Sequence, residues 1–276
     1  MAETEKPEIG ATADAAGVKT NYLEAGKGPD VVLIHGSGPG VTAYANWRLV
    51  IPALAEDFHV VAPDMVGFGY TERPEDVEFG VQTWADQTVG LMDSLGIQKA
   101  HLVGNSFGGA IALRIATQHP DRVDRMVLMG SMGVDFPITE GLERVWGYEP
   151  SFENMRKVLD VFAFDRKLVP DELAEVRYRA SMQPGFQESF AAMFPAPRQR
   201  WVDAMRTADE DIRKLTHRTL IIHGREDQVI PVETTIKLMQ LIDNGDVHVF
   251  SHCGHWVQIE RNADFNRLVR DFFTAE

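Results

Sequence analysis

The chain has 276 residues, of which 41 are acidic and 27 basic, and its formal net charge is -14. An acidic surface repels polyphosphate, so this composition excludes nucleic acid as an expected partner. A chain of this length buries a sizeable core, and we expect one main domain that carries an insertion.

The N-terminal segment, residues 1–17, mixes acidic and small residues and has no apolar run long enough for a signal peptide or a membrane span. We therefore expect a cytoplasmic protein that does not bind membranes. Cys253 is the only cysteine, which excludes an intrachain disulfide and a zinc site built from several cysteines. The histidines show no spacing typical of metal ligands, so we expect no metal and no cofactor.

Short apolar runs alternate with helical patterns along most of the chain. The runs predict strands at residues 31–36, 59–64, 101–105, 125–130, 218–224 and 247–250. Nearly continuous apolar runs are typical of a parallel sheet that is covered on both faces. The predicted helical stripes are Trp84, Thr88, Met92 and Leu95; Ile236, Met239, Leu241 and Ile242; and Phe265, Leu268, Val269 and Phe272. This alternation predicts a doubly wound α/β fold.

The strand pattern disappears between the fourth and fifth predicted strands. The segment there is helical in pattern, rich in Met, Phe, Trp and Arg, and interrupted by prolines. We predict a core formed by residues 1–134 and 211–276, with residues 135–210 inserted as a helical cap. A cap over the carboxyl ends of the strands would close a mostly apolar pocket where open α/β sheets bind their ligands.

Residues 104–108, GNSFG, fit the pattern G-x-S-x-G and lie between a predicted strand and a predicted helix. In that position the pattern indicates a tight, strained turn that exposes the serine, and side chains in place of the two glycines would clash. We predict that Ser106 is a nucleophile and that the N–H of Phe107 stabilises an oxyanion. The alternative is an ordinary turn.

A serine needs a histidine to remove its proton and a carboxylate to orient that histidine. In this motif the acid and then the histidine follow the serine along the chain. Asp227 follows the fifth predicted strand, with Glu226 as its nearest alternative. His255 follows the last predicted strand, with His252 as the competitor. We predict the triad Ser106, Asp227 and His255.

The loop HGSGPGV at residues 35–41 follows the first predicted strand. It resembles the loop that donates a second N–H to an oxyanion beside a serine in this kind of turn, and by position we assign that donor to Ser37. The chain has no G-K-[ST] at this loop, and Val41 stands where a dinucleotide-binding loop needs its third glycine. These differences exclude a nucleotide-binding loop.

The chain resembles the α/β-hydrolase superfamily over essentially its whole length. The resemblance lies in the strand pattern, the serine-bearing turn at residues 104–108 (the nucleophile elbow), the helical insertion and the order of the triad residues. The stretches HGSGPGVTAYANW, DMVGFGYTERP, LVGNSFGG, GREDQVIP and CGHWVQIE resemble the meta-cleavage-product hydrolases, especially the branch that acts on 2-hydroxymuconic semialdehyde and 2-hydroxy-6-oxohepta-2,4-dienoate. The resemblance implies hydrolysis of a carbon–carbon bond in a ring-fission product of a catechol, during aromatic hydrocarbon degradation. The products would be 2-hydroxypenta-2,4-dienoate and a small carboxylic acid.

The resemblance also implies an order of steps. Because the leaving group is carbon, the dienol first has to ketonise, which puts a proton on C5. Ser106 would then attack C6, with His255 as the proton carrier. An acyl-serine and a gem-diol intermediate both remain open.

Further residues match the pocket of this family. Arg177 matches the arginine that binds the substrate carboxylate, and its neighbour Arg179 is the alternative. The other matches to polar or pocket positions are Gly38, Asn46, Asn105 and Trp256. Met132, Trp146 and Ile230 are candidates to limit the substituent on C6. Their size favours formyl or acetyl over benzoyl.

Two other functions fit parts of the pattern. A carboxylesterase of the same fold would use the same triad and elbow, and some members of the fold are non-enzymatic small-molecule receptors. The expected partner is a small dienoate. Because relatives are commonly homo-oligomers, we also expect a homo-oligomer.

Overall fold

The computed structural model describes residues 6–275, so the first five residues of the N-terminal segment lie outside the described residues. Within that range the chain forms eight strands: β1 (Ala11–Ala15), β2 (Val18–Ala25), β3 (Asp30–Ile34), β4 (His59–Pro63), β5 (Ala100–Asn105), β6 (Val123–Met129), β7 (Thr219–Gly224) and β8 (Gly245–Phe250).

The same range contains thirteen α-helices. They are α1 (Ala43–Trp47), α2 (Ile51–Leu54), α3 (Val81–Ser94), α4 (Phe107–Gln118), α5 (Glu140–Trp146), α6 (Phe152–Phe162), α7 (Asp171–Ser181), α8 (Phe186–Met193), α9 (Gln199–Ala204), α10 (Asp209–Ile212), α11 (Glu233–Leu241), α12 (Val257–Glu260) and α13 (Asn262–Thr274).

All eight strands form one sheet in the order β1-β2-β4-β3-β5-β6-β7-β8. The six strands from β3 to β8 run parallel to one another, while β2 pairs antiparallel with both β1 and β4. The chain winds outward from β3 in both directions, since β4 lies on one side of it and β5 on the other. Loops after β3 and β5 therefore meet at the point where open α/β sheets bind ligands.

The sheet is buried on both faces, as the apolar runs predict. In β3, Val31 and Leu33 belong to one core cluster, whereas Val32 and Ile34 belong to the other. Successive side chains of a strand point to opposite faces, so each run supplies both cores at once. The doubly wound α/β fold and its six predicted parallel strands are confirmed.

The antiparallel hairpin of β1 and β2 was not predicted. Neither strand is a continuous apolar run, and only Ala15, Val18 and Tyr22 are buried apolar positions. The two residues that connect them, Ala16 and Gly17, have φ of 53° and 83°. Positive φ at both central residues is typical of the tight turn in two-residue hairpins.

Two of the three helical stripes are confirmed, and the third is half right. The stripes in α3 and α13 face the core. In the third stripe Leu241 and Ile242 are buried, but Ile236 and Met239 are both 42% exposed, and Thr235 and Leu238 lie on the buried face of α11 instead. Apolar periodicity missed Thr235 because its hydroxyl makes a buried hydrogen bond, which is described below.

The segment between β6 and β7 contains helices and no strand within the described residues. It contacts the loops at the carboxyl ends of the strands: the Trp146 indole donates to Ser37, and Thr139 donates to the carbonyl of Val229. The division into a core of residues 1–134 and 211–276 and a cap of residues 135–210 stays a prediction. Helix α10 spans the predicted boundary.

The turn between β5 and α4 brings backbone atoms very close together. A Cβ on Gly104 would lie 2.5 Å from the carbonyl oxygen of Gly108, and a Cβ on Gly108 would lie 2.2 Å from that of Ile34. Ser106 itself has φ 54° and ψ -112°. The glycines are therefore required by contact with backbone, which cannot move aside as a side chain can.

Gly108→Ala should destabilise the protein by about 2–3 kcal/mol, because the added methyl overpacks the turn against backbone. Gly80→Ala is the matched control, since a Cβ at Gly80 meets no atom within 4 Å, and we expect it to cost less than about 1 kcal/mol. Urea unfolding followed by circular dichroism measures both. Equal unfolding midpoints for the two variants would contradict this explanation of the elbow.

Candidate active site

Ser106 is held in its strained conformation by hydrogen bonds to the neighbouring strand. Its N–H donates to the carbonyl of Met129 at 2.8 Å, and its own carbonyl accepts from Gly109 and Met132 at 3.0 Å each. These bonds offset the cost of the positive φ, which for a residue other than glycine is about 1–3 kcal/mol. The turn thereby fixes the side chain of Ser106 at the carboxyl edge of the sheet.

Ser106 opens onto a small enclosed space of about 20 Å³, here called the inner cavity. Eight of the residues predicted from sequence line it: Ser37, Gly38, Asn46, Asn105, Ser106, Arg177, His255 and Trp256. They come from the loops after β3, β5 and β8 and from helices α1 and α7. The fold thus brings together residues that are up to 219 positions apart, from Ser37 to Trp256.

Asp227 and His255 form a close pair beside this cavity. The His255 Nδ1 lies 2.6 Å from Asp227 Oδ2, and the side chains are 4% and 1% exposed. Asp227 Oδ1 accepts from the N–H groups of Val229 and Ile230 at 2.7 and 3.0 Å. Burial opposes the charge of Asp227, but His255, together with His223, holds the pKa of the carboxyl well below its ordinary value.

The competing acid and histidine do not join this pair. Glu226 accepts from the N–H of Cys253 and from the side chain of Arg225. His252 is exposed on the loop, where its ring lies against Phe164. The geometry therefore favours Asp227 and His255 over both alternatives.

The loop after β3 is fixed by side chains that do not touch solvent. His35 Nε2 accepts from the N–H of Met65 at 2.9 Å, while its Nδ1 contacts the Gly36 carbonyl at 2.8 Å. Burial lowers the pKa of His35 to about 4, so the ring is neutral and can make both bonds. Ser37 Oγ accepts from the indole of Trp146 at 2.9 Å. These contacts hold the Ser37 loop beside Ser106.

Phe107 is the first residue of α4 and is fully buried. The N–H groups in the first turn of a helix have no acceptor within the helix. The N–H of Phe107 is therefore suited to the oxyanion role that the sequence predicts.

Arg177, and not Arg179, faces the inner cavity. Arg177 is 9% exposed and donates to the carbonyl of Pro39 at 3.3 Å, whereas Arg179 lies in solvent and pairs with Glu175. Burial lowers the pKa of Arg177 to about 10, with a further contribution from the charge of Arg48. The guanidinium thus stays charged at neutral pH.

Three buried polar atoms around Arg177 have no hydrogen-bond partner among the described residues. They are Asn46 Nδ2, Asn105 Oδ1 and Arg177 Nε. Asn46 and Asn105 also bond each other, because Asn105 Nδ2 donates to Asn46 Oδ1 at 2.9 Å. Buried groups of this kind are nearly always paired in the working state of a protein, so this end of the cavity is suited to a polar ligand.

A larger space of about 210 Å³, here called the outer cavity, adjoins the inner one. Both cavities share walls at Val41, Asn46, Arg177 and Trp256. Sequence reasoning missed Arg48 and Gln258, which line the outer cavity. Gln258 is 1% exposed and its Oε1 has no partner among the described residues. Neither residue lies in a glycine pattern or a run of charges that would have indicated a binding site in the sequence.

The three predicted size-limiting residues do not line either cavity. Met132, Trp146 and Ile230 are 0%, 2% and 0% exposed and belong to the core. Their role in limiting the C6 substituent stays a prediction, and the apolar side chains that line the inner cavity include Phe162 and Val229. Met132, Trp146, Ile230, Phe162 and Val229 are all apolar. The sequence pattern alone therefore cannot distinguish a residue that lines the cavity from one in the core behind it.

Glu260, which sequence reasoning also missed, joins the histidine loop to the helical segment. Its carboxylate accepts from the N–H groups of Phe164 and Asp165 at 2.9 and 3.0 Å, and from that of Gly254 at 2.7 Å. Gly254 directly precedes His255. The same carboxylate therefore holds the position of the catalytic loop and of the chain that follows α6.

The chain resembles proteins of known function over nearly its whole length. A family model described as the alpha/beta hydrolase fold matches residues 29–262. The chain is 59% identical over 269 residues to a 2-hydroxy-6-oxo-2,4-heptadienoate hydrolase from Pseudomonas putida, with 98% of each chain covered. It is 61% identical over 266 residues to a 2-hydroxymuconate semialdehyde hydrolase from a Pseudomonas strain, covering 96% of this chain and 94% of that one.

A solved structure agrees closely with this fold. The meta-cleavage product hydrolase of Pseudomonas fluorescens IP01, a serine-to-alanine mutant complexed with acetates, gives a TM-score of 0.96 at 60% identity, covering 97% of this chain and 98% of that chain. This chain belongs to the meta-cleavage product hydrolases. The predicted family is therefore confirmed, and the chain is a serine-dependent hydrolase and not a non-enzymatic receptor.

The sequence also led to expectations about membrane binding, metal ions, location and oligomeric state. In residues 6–275 no helix is long and apolar enough to cross a membrane. Over the same residues, no group of three or more His, Cys, Asp or Glu side chains is arranged to hold a metal ion. The cytoplasmic location and the homo-oligomeric state of this meta-cleavage product hydrolase stay predictions.

Asp227→Asn should lower kcat by about 10^4-fold, because an amide cannot accept from His255 in the same way and so favours the wrong imidazole tautomer. Glu226→Gln is the matched control, one residue away, and should leave kcat within about threefold of wild type. Steady-state kinetics on p-nitrophenyl acetate measures both variants, with circular dichroism to check folding. A large loss in Glu226→Gln with an active Asp227→Asn would reverse the assignment of the acid.

Proposed function

We propose that this meta-cleavage product hydrolase cleaves the C5–C6 bond of 2-hydroxy-6-oxohepta-2,4-dienoate or 2-hydroxymuconic semialdehyde. One water is consumed, and the products are 2-hydroxypenta-2,4-dienoate and acetate or formate. The observation that carries the proposal is that Ser106 and Arg177 line the same inner cavity. A nucleophile and a buried cation together fit a substrate with a carbonyl at one end and a carboxylate at the other.

The chemistry demands more than ester hydrolysis, because the leaving group is carbon. His255 moves the proton of the 2-hydroxyl group to C5, and the dienol becomes a ketone. Ser106 then attacks C6 while its hydroxyl proton passes to His255. The C5–C6 bond breaks, its electron pair enters a delocalised dienolate, and His255 gives the proton to the dienolate oxygen, which forms 2-hydroxypenta-2,4-dienoate. Water deprotonated by His255 then attacks C6 of the acyl-serine, the bond from C6 to the Ser106 oxygen breaks, and His255 returns the proton to Ser106 as the acid is released.

The oxyanion formed at C6 accepts from the N–H groups of Ser37 and Phe107. Each donor contributes about 3 kcal/mol to the stability of the transition state. At the other end, Arg177 binds the carboxylate, while Asn46 and Asn105 contact the carboxylate and the enol. Two relatives named for these substrates support the choice of substrate.

We also propose that the C6 substituent is small. The space beside Ser106 is about 20 Å³, and the residues behind it are tightly held. Met132 donates its N–H to the carbonyl of Ser106, and Trp146 donates to Ser37. A methyl group or hydrogen on C6 fits such a pocket better than a phenyl ring, which would have to displace these buried side chains.

Ser106→Ala should lower the rate of 2-hydroxy-6-oxohepta-2,4-dienoate decay by about 10^4-fold or more, because one member of a cooperating triad is removed. Loss of the visible absorbance of this conjugated substrate measures the rate. If wild-type protein leaves the dienoate intact but cleaves p-nitrophenyl acetate in a Ser106-dependent way, the protein is a carboxylesterase and the proposed reaction is wrong.

Arg177→Ala should lower kcat/KM for the dienoate by about 10^2-fold or more, because the substrate carboxylate loses a buried charged partner. The neutral ester p-nitrophenyl acetate has no carboxylate, so its kcat/KM should fall much less. Arg179→Ala is the matched control and should affect neither substrate. Equal losses on both substrates in Arg177→Ala would contradict the carboxylate-binding role.

A further inference from the structure

A second histidine contacts the same oxygen of Asp227 as His255 does. His223 lies in β7 and is fully buried. Its Nε2 is 3.2 Å from Asp227 Oδ2 and 3.0 Å from the carbonyl oxygen of Ile230. Its Nδ1 is 2.7 Å from the hydroxyl of Thr235 in α11. Neither cavity is lined by His223, so it does not reach the substrate.

The neighbours of the His223 ring define its tautomer. Nε2 faces two acceptors, a carboxylate and a carbonyl, and it must therefore carry the hydrogen. Nδ1 faces a hydroxyl, which donates to it. The titratable groups near the ring are Asp227, on the loop after β7, and His255, on the loop after β8 and reached through Asp227. Hydrogen on Nε2, with Nδ1 as acceptor from the Thr235 hydroxyl, satisfies every contact at once.

This arrangement surrounds the Asp227 carboxylate with four donors. Oδ1 accepts from the two backbone amides of Val229 and Ile230, and Oδ2 accepts from both His255 and His223. Without His223, one side of Oδ2 would be held by His255 alone. The carboxylate would then be able to tilt toward His255, and it would bind the His255 proton more strongly.

Thr235 brings a polar group into the buried face of α11. It is 0% exposed and shares that face with Leu238 and Leu241, which are 0% and 5% exposed, while the neighbouring Ile236 is 42% exposed. A buried hydroxyl needs a hydrogen-bond partner, and His223 Nδ1 provides one.

We propose that His223 is a positioning residue that holds Asp227 in the orientation required by His255, and that Thr235 fixes the tautomer of His223. This inference rests on the proposed function, because it concerns the same triad. It adds a chain of three residues, Thr235, His223 and Asp227, behind the catalytic histidine. The chain connects α11 to the chemistry at Ser106.

The test compares variants that keep or remove the donor to Asp227. His223→Leu removes it and should lower kcat by about 10- to 100-fold with KM nearly unchanged, since a displaced orienting group costs catalysis and not binding. His223→Gln keeps an N–H near the position of Nε2 and should recover much of that loss. Thr235→Val should cause a smaller loss in kcat, and Thr235→Ser should restore it.

The pH profile separates positioning from simple packing. In His223→Leu the acid limb of kcat/KM should move to higher pH by about half a unit, because Asp227 then stabilises protonated His255 more strongly. His101→Leu is the matched control, since His101 is a buried strand histidine that stacks on Phe273 away from the site. It should lower the melting temperature without moving the acid limb.

Measurements on both the dienoate and p-nitrophenyl acetate distinguish failure of the proposed function from failure of the proposed role of His223. If wild type does not cleave the dienoate, the proposed function is wrong, yet the role of His223 is still read from ester hydrolysis. If folded His223→Leu or Thr235→Val keeps wild-type kcat and an unshifted acid limb on the ester, the positioning role is overturned. A loss of activity only in proportion to unfolded protein would overturn it as well.

Discussion

The active site depends on one buried carboxylate that must keep its charge. Asp227 is almost completely enclosed, and a carboxylate without donors in such a place would take up a proton. Its donors come from β7 and from the loops that follow β7 and β8. The register of β7 and β8 pairs His223 with Val249 and Gly224 with Phe250, so the loops that follow both strands begin side by side. The sheet geometry is therefore what makes the charged carboxylate possible.

The helical segment between β6 and β7 makes hydrogen bonds to the loops after β3 and β8, which carry Ser37 and His255. Trp146 holds Ser37, and Glu260 holds Gly254 together with Phe164 and Asp165. The ring of Phe162 also stacks on Trp256, with centroids 4.9 Å apart. Because these contacts join the helical segment to the loops that carry Ser37 and His255, the shape of the inner cavity and the positions of these two residues are not independent. A change in one is transmitted to the other through a few specific bonds.

The sequence predicts the features that depend on local pattern. Apolar runs predicted the six parallel strands, because a strand that is buried on both faces consists mostly of apolar residues. Glycines around Ser106 predicted the elbow, because close backbone contact leaves no room for a side chain. Helix α11 shows where this is incomplete: apolar periodicity placed Ile236 and Met239 on the buried face and missed Thr235, whose buried hydroxyl contacts His223. His223 likewise looked like an ordinary strand residue in the sequence. Its proposed role depends on the distance between its ring and the Asp227 carboxylate, which the positions of the two residues along the chain do not reveal.

The polar end of the inner cavity explains why a dienoate suits this site better than a simple ester. Asn46 Nδ2 and Arg177 Nε are donors and Asn105 Oδ1 is an acceptor, and among the described residues none of the three has a partner. A buried polar group left unpaired costs about 1–3 kcal/mol. A carboxylate and an enol hydroxyl supply both acceptors and a donor, whereas an acetate ester supplies no donor and no charge. Binding energy gained at this end, far from the scissile bond, is then available to orient C6 at Ser106.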